Sequence, residues 1–326
     1  MLTDSMMPDD KPTVSVIIPT FNRAAILAQT LRDTARQTWR PLELVVVNDG
    51  SRDDTDSVLA RIRPDMEAAG VIPRFLHQAN AGVAAARNLG LREAAGDYIA
   101  FLDDDDRWEP AKLEKQLAAL RASGADACTS LINNRGGTAT VPRNAEQLPQ
   151  GRCPAALLDR RRSFSIISLV VRAEVARKAG EFDTSLRTAE DTEWMMRLAH
   201  HANFTAVPEV LATYIETPGS LSDGNSLERL VKQDEGPRRA LALIRERCSV
   251  LPGWDEQAWR NRVAQDYDQF VKHLLYSGEL NAARETFEEG MRLSHGAPPL
   301  PRVKSKLRKA RWLALFGRRL KHPKLC

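Results

Sequence analysis

The sequence predicts an α/β fold: a mainly parallel sheet with helices on both faces, followed by a helical C-terminal region. Three observations predict it. Strand-like and helix-like segments alternate through the first 130 residues, the pattern of a doubly covered parallel sheet. Two of the strand candidates, 14–18 and 42–47, are Val/Ile/Leu-rich with one polar residue each, Ser15 and Glu43, as expected of largely buried strands. From about residue 221 the strand signal vanishes and only helical patterns remain.

In order, Val14-Ser-Val-Ile-Ile18 reads as a buried strand ended by Pro19, and Ala24 to Gln37 as a helix. Leu42 to Val47 is a second strand, broken by Asn48-Asp49-Gly50. Asp54 to Arg63 is helical, Val71 to His77 a short strand, and Gly82 to Ala95 a helix with a small-residue face. Tyr98 to Leu102 is the fourth strand. Residues 111–122 form a helix, Ala125 to Ile132 a strand, and 133–152, rich in Gly, Asn, Arg and Pro, a loop. Ile166 to Val171 is a strand candidate. Arg172 to Ala179 is a helix stopped by Gly180, and Asp191 to His200 another. Residues 226–248 and 255–294 are helical, interrupted at Leu251-Pro-Gly253 and at Ser277-Gly278. Tyr276 to Phe287 looks like one tetratricopeptide turn, but a single copy is also an ordinary helical hairpin. The expected divisions are 1–222 for the α/β domain, 223–300 for the helical region and 301–326 for a basic tail.

The chain has 326 residues, 43% hydrophobic and 28% charged, enough to bury a sizeable core. No run of 18 apolar residues occurs, which excludes a spanning helix. The start, MLTDSMMPDDK, has acids where a secretory signal has a basic and then an apolar region, so a cytoplasmic protein is expected. The cysteines at 128, 153, 248 and 326 form no C-x-x-C pair and read as reduced thiols. The net charge of +4 hides an asymmetry. Residues 301–326 hold ten Lys or Arg and no acid, so the first 300 residues carry 37 basic and 43 acidic side chains, a net −6. An acidic body argues against nucleic acid as partner.

Ligands of such sheets collect beyond the carboxyl ends of the strands, and three ends carry distinctive polar groups: Pro19-Thr20, Asn48-Asp49 and Asp103-Asp104-Asp105-Asp106. Four adjacent aspartates repel unless neutralised, and some shift toward the neutral form. A divalent cation removes the repulsion, and hard carboxylate oxygens suit Mg²⁺ or Mn²⁺. In an extended chain Asp103 and Asp105 share a side. A solvated acidic loop is the plainer reading of the run. Asn-Asp-Gly is also the commonest Asx turn, though Asp49 could accept from a base N–H or a ribose hydroxyl. Arg87, in a helix of small residues, is either a surface ion pair or a fork into a phosphate pocket. Glu190-Asp191 near a helix start are either dipole-complementing acids or a general base.

Taken together, Val14-Ser-Val-Ile-Ile-Pro-Thr-Phe-Asn-Arg23, Leu44-Val-Val-Val-Asn-Asp-Gly-Ser-Arg-Asp-Asp-Thr55, Asn80-Ala-Gly-Val-Ala-Ala-Ala-Arg-Asn88, Tyr98-Ile-Ala-Phe-Leu-Asp-Asp-Asp-Asp-Arg-Trp108, and Gly180-Glu-Phe-Asp183 with Glu190-Asp191 resemble glycosyltransferase family 2, in order, over about residues 12–222. The resemblance implies a GT-A type, Rossmann-like fold, a nucleotide-diphosphate-sugar donor carrying uridine, a Mn²⁺ or Mg²⁺ cofactor and inversion at the anomeric carbon. It implies that Pro19, Thr20, Asp49, Arg87, Asp103 and Asp104 bind the nucleotide, that Asp105 with Asp103 holds the metal in a D-x-D motif, and that Asp191 is the base that deprotonates the acceptor. The implied acceptor is a cell-envelope glycan or a lipid-linked sugar.

Two departures from the family pattern stand out. Many members carry a basic pair where this chain reads Tyr214-Ile-Glu-Thr217, and the Q-x-x-R-W motif of processive synthases is absent, which favours single additions. A non-catalytic sugar-nucleotide binder is the alternative. A nucleotidyltransferase is disfavoured because Pro19-Thr-Phe-Asn-Arg23 holds no glycine for a phosphate loop. In the tail, Trp312 to Phe316 lies between basic flanks, which suggests contact with an anionic membrane at the inner face. On a helical wheel, however, these residues fall away from the Val303–Leu307–Ala310 face, and that face could instead pack on the helical region.

Overall fold

The computed structural model describes residues 11–135, 142, 144–215 and 226–321. The N-terminal reading of residues 1–10, Cys326 and positions 216 and 217 of the departure from the family pattern lie outside the described residues. The chain divides into two compact units: residues 1–153 with 162–216, and residues 154–161 with 217–326.

The first unit is built on an eight-stranded sheet of order β3-β2-β1-β4-β7-β6-β8-β5. Its first half is parallel: β1 (Val14–Thr20), β2 (Leu42–Asn48), β3 (Val71–His77) and β4 (Tyr98–Phe101), alternating with α1 (Ala24–Ala35), α2 (Thr55–Ala68) and α3 (Val83–Glu93). Every residue of β1 and β2 is buried, which explains their Val/Ile/Leu-rich sequences, and the polar Ser15 and Glu43 within them are hydrogen-bonded to each other. The register aligns the strand ends: Thr20 pairs with Asn48, Asn48 with His77, and Ile17 with Phe101. The polar groups that follow β1, β2 and β4 therefore share one edge. Gly90 lets α3 lie close on β1, because a Cβ there would stand 2.4 Å from Ile17 Cγ2.

The second half is mixed. β5 (Arg107–Trp108) and α4 (Lys112–Ser123) lead to β6 (Ala127–Arg135), which runs three residues past the expected strand. β7 (Val170–Arg172) pairs antiparallel with both β4 and β6. Of the expected 166–171 strand only the end is extended; Ile166–Ser168 is a 3₁₀ turn whose Ser168 hydroxyl bonds back to Ser165 O at 2.7 Å. α6 (Ala173–Lys178) and α7 (Glu190–His201) follow. β8 (Phe204–Ile215) is a strand that sequence reading passed over. Pro208 interrupts its pattern, and its ladder to β6 slips between Ser130 and Ile132, so no clean period of two was visible.

One core group is out of place. Lys112 is fully buried beside Cys128, its ammonium has no hydrogen-bond partner, and it lies 3.9 Å from the Trp108 ring. Burial pushes the amine down to about 7 and the Cys128 thiol up to about 12. A lysine depressed in the folded state makes the unfolded chain bind more protons between the folded value and the usual 10.5, so stability rises with pH across that window. Urea melts at pH 7, 8 and 9 are expected to show this rise, and Lys112→Met to flatten it while stabilising the protein most at pH 7.

The second unit is helical: α5 (Pro154–Leu158), α8 (Leu227–Gln233), α9 (Glu235–Cys248), α10 (Glu256–Ser277), α11 (Leu280–Ser294) and α12 (Val303–Ala314). Ser226 and Asp255 cap α8 and α10, accepting from Arg229 N and Ala258 N at 3.2 and 3.0 Å. α10 ends at Gly278 in the left-handed conformation, as the Ser277-Gly278 break anticipated. Ion pairs tie the helices together: His273 Nδ1 with Asp234 at 2.9 Å, both largely buried, and the exposed Arg160 with the buried Asp266 at 2.6 Å. A cavity of about 800 Å³ within this unit is lined by Arg238, Arg245, Trp259 and Tyr267. The aspartates 103–106 and the Glu190-Asp191 pair lie in the first unit. No described helix is long and apolar enough to cross a membrane, and no disulfide occurs among the described residues.

Candidate active site

The aspartate run does not continue β4 as an extended chain. It turns at Asp104-Asp105, closed by Asp106 N–H donating to Asp103 O at 3.2 Å. The expected shared side for Asp103 and Asp105 is therefore corrected, since alternation holds only in extended backbone. The turn sorts the carboxylates by partner instead. Asp103, whose side chain is 33% exposed, accepts from Arg87 Nη2 at 2.7 Å. Asp104 accepts from the Thr20 hydroxyl at 2.8 Å and from Arg23 Nη1 at 3.0 Å, and the same Arg23 nitrogen reaches Asp105 at 2.5 Å. Asp106 is completely buried and accepts from Ile215 N at 2.9 Å, tying the end of β8 to the run, while its other oxygen has no partner.

The repulsion expected from four acids is present. Burial, reinforced by the neighbouring aspartates, pushes Asp106 up to about 9. Burial also raises Asp104, to about 6, against the pull of Arg23 and Thr20.

Arg87 is not a surface pair; it is a buried guanidinium whose two ends each meet a carboxylate. Its side chain is 4% exposed; Nη2 binds Asp103 and Nη1 binds Glu190 Oε1, both at 2.7 Å. Burial disfavours the charge, but Asp103, Glu190 and Asp191 hold the guanidinium charged beyond the usual arginine value. Burial and the adjacent Asp191 push the Glu190 carboxyl up, to about 7, against the pull of Arg87. One buried cation thus joins the end of β4 to the start of α7. Asp191 is half-buried in the first turn of α7, its carboxylate accepting from Thr192 N at 2.6 Å. The residue before α7, Ala189, has φ +64°, a strained conformation for a side chain with a Cβ, and such strain collects at functional sites.

An aromatic cluster fixes that helix start. Phe182 and Trp194 stack at 4.8 Å, and Phe101, the last residue of β4, meets both edge-on at 5.4 Å. Trp194 Nε1 donates to Gly180 O at 2.8 Å. Asn88 grips the backbone of Phe182 from both sides, donating to its carbonyl at 2.9 Å and accepting from its N–H at 2.7 Å. Asn88→Ala strands both buried groups. At about 1–3 kcal/mol per orphaned group, it is expected to cost roughly 2–6 kcal/mol, read by urea denaturation.

Of the other expected residues, Pro19 is buried inside β1 opposite Val47, and Thr20 and Asp104 wall the site through their mutual hydrogen bond. Asp49 holds a loop: its carboxylate accepts from Gln78 Nε2 at 2.7 Å and from Ala81 N and Gly82 N at 2.9 Å, just ahead of α3. Gly50 permits this, with φ +76° and a Cβ position only 2.8 Å from Asn80 N. Arg23 and Glu190 are site residues whose placement the sequence did not assign. Both stood inside quoted motifs, but their partners are 81 or more residues away.

Asp103 and Asp105 offer hard oxygen donors, and no group of three or more His, Cys, Asp or Glu able to cage a metal occurs among the described residues. That donor set fits a cation held by one or two carboxylates and completed by ligand phosphates. The Arg23 guanidinium, against Asp104 and Asp105, supplies positive charge at the same place.

Residues 15–173 match the family model described as Glycosyl transferase family 2. This stretch belongs to glycosyltransferase family 2. Among relatives, an uncharacterized glycosyltransferase of Rickettsia bellii is 40% identical over 104 residues, covering 32% of this chain and 14% of the relative. The uncharacterized glycosyltransferase EpsJ of Bacillus subtilis is 28% identical over 230 residues, covering 65% and 63%. The chain thus spans from about a seventh to under two thirds of these curated relatives. S. aureus TarS 1-349 in complex with UDP-GlcNAc superposes with TM-score 0.65 at 18% identity, covering 94% of this chain and 92% of that 1-349 chain. The mannosyltransferase PcManGT from Pyrobaculum calidifontis, in complex with GDP-Man and Mn²⁺, superposes with TM-score 0.60 at 17% identity over 95% and 89%. Both likenesses show the fold, which is of the GT-A type.

Proposed function

We propose that the family 2 domain transfers a sugar from a nucleoside-diphosphate donor, carrying uridine, to a hydroxyl of a cell-envelope glycan or lipid-linked acceptor, by single additions with inversion. The observation that carries this reading is the buried Arg87 fork, which couples the Asp103 carboxylate at the donor end to the Glu190-Asp191 helix start. Thr20, Asp49, Asp103 and Asp104 bind or shape the nucleotide pocket. Asp103 and Asp105 would hold a divalent cation, which when bound would offset charge on the leaving diphosphate.

Asp191 takes the acceptor proton as the hydroxyl oxygen attacks the anomeric carbon opposite the leaving group. Its half-burial keeps the carboxylate reachable, while the aromatic cluster beneath α7 limits its movement. Arg23, 26% exposed beside Asp105, is the cation placed to make up for the basic pair missing near Tyr214-Ile215.

Binding to the folded state raises the melting temperature. UDP with Mn²⁺ is therefore expected to raise it, and UDP alone to raise it less. A response to GDP instead would overturn the uridine assignment, a live contrast given the ligands of TarS and PcManGT. The missing basic pair also supports a second reading, a binder that does not turn over. That reading predicts a shift with UDP but neither donor hydrolysis nor transfer.

A further inference from the structure

We propose that the C-terminal end of α12 is a docking tip for an anionic lipid bilayer. The structure settles which face of this basic helix is spoken for. Val303, Leu307 and Ala310 are buried within the second unit, where α12 packs on α10 and α11, so that face cannot lie on a membrane. The outward side carries Lys304, Arg308, Lys309 and Arg311, all exposed, and Arg318 and Lys321 follow the helix. None of these six has an acidic partner among the described residues, and no acid occurs anywhere in 301–326. By contrast Lys306 is engaged by the Tyr276 hydroxyl at 3.1 Å, and Arg319 reaches Ser277 O at 3.4 Å.

The tip itself is apolar. Trp312 is 59% exposed, Leu315 80% and Phe316 62%, with the two rings 5.0 Å apart. Seven large hydrophobic side chains are exposed among the described residues, and three of them fall within these five consecutive positions. At about 100° per residue, Trp312 stands opposite Val303, between Leu315 and Phe316 and in line with the cations of the outer face. An indole and a phenyl ring project from a collar of lysine and arginine. That combination matches the membrane–water interface, where aromatic rings seat at headgroup level and each basic residue is drawn to acidic lipid.

Charge complementarity selects this occupant. A second copy of the chain would bring the same cations face to face in a two-fold contact. A nucleic acid would use the cations but gives no burial to Leu315. The geometry also fixes the mode of contact: the tip inserts, and the helix does not lie flat in the interface. This inference stands independently of the transferase reading.

The test is co-sedimentation of the full chain with vesicles of phosphatidylcholine alone or with about one third phosphatidylglycerol. The expected result is pelleting with the anionic vesicles only, weakened ~10-fold or more by raised salt. Replacing Trp312, Leu315 and Phe316 together by Ser should weaken partition at least ~10-fold, and R308E/K309E/R311E roughly 100-fold. These side chains are exposed, so both variants should keep the wild-type melting temperature. Trp312→Phe should preserve partition but lose most of the blue shift of tryptophan emission on vesicles. The proposal is overturned if the triple Ser variant pellets like wild type, if neutral and anionic vesicles bind equally, or if neither binds. Retention of RNA without vesicle binding, or a dimer dissociated by the triple Ser variant, would equally overturn it.

Discussion

Asp191→Asn is expected to lower the rate of sugar transfer by two to four orders of magnitude, the usual contribution of a positioned general base (~10²–10⁴-fold). The substitution adds no bulk and leaves the Arg87 links to Asp103 and Glu190 in place. Asparagine can still accept from Thr192 N, as the Asp191 carboxylate does at 2.6 Å. Only the charge near the start of α7 is lost, a stability change of about 0.3–1 kcal/mol. The nucleotide-induced rise in melting temperature should therefore survive while turnover falls. Single-turnover transfer assays alongside nucleotide titrations separate the two. An unchanged rate would move the base elsewhere, with Glu190 the nearest carboxylate on the same helix start.

Arg87→Met is expected to be strongly destabilising to the first unit. It leaves Asp103 and the buried Glu190 without their shared cation, and removing one partner of a buried pair costs about 3–5 kcal/mol. At about 2–4 °C per kcal/mol for a unit of this size, the melting temperature should fall by roughly 10 °C. The pH dependence carries the diagnosis. Glu190 already sits up near 7 with Arg87 beside it, and losing the cation raises it further. A carboxyl whose folded value lies above its unfolded one makes the native state bind more protons, so stability is lost as pH rises. The deficit of Arg87→Met should accordingly be smaller at pH 5 than at pH 8. Arg87→Lys should recover part of it, since an ammonium can satisfy one carboxylate but not span both. A deficit independent of pH would mean that packing against Phe182, 5.7 Å away, and not charge, is what Arg87 provides.

Much of the site could be read as positions along the chain. Thr20, Asp49 and Asp103 stand at or after the ends of apolar-rich strands, and parallel strands in one sheet deliver those ends to one edge. Lys112 gave no signal, because a lysine opening an amphipathic helix ordinarily points to water. β8 was missed because Pro208 and a slipped ladder erased its period. The tail was legible as two incompatible faces, and the structure shows that they serve different ends: Val303, Leu307 and Ala310 inward, Trp312 and Phe316 outward.

By itself, then, the sequence determined the alternation of strands and helices, the family, and which carboxylates stand at strand ends, because these depend on backbone preferences and burial over a few neighbouring residues. The tertiary structure alone decided that the aspartate run turns, that Arg23 serves Asp104 and Asp105, and that Arg87 bridges Asp103 to Glu190. These contacts join residues 16 to 103 positions apart. Their lengths and angles follow from the order of the strands and the seating of α7 on its aromatic cluster, and no local pattern of side chains encodes that seating.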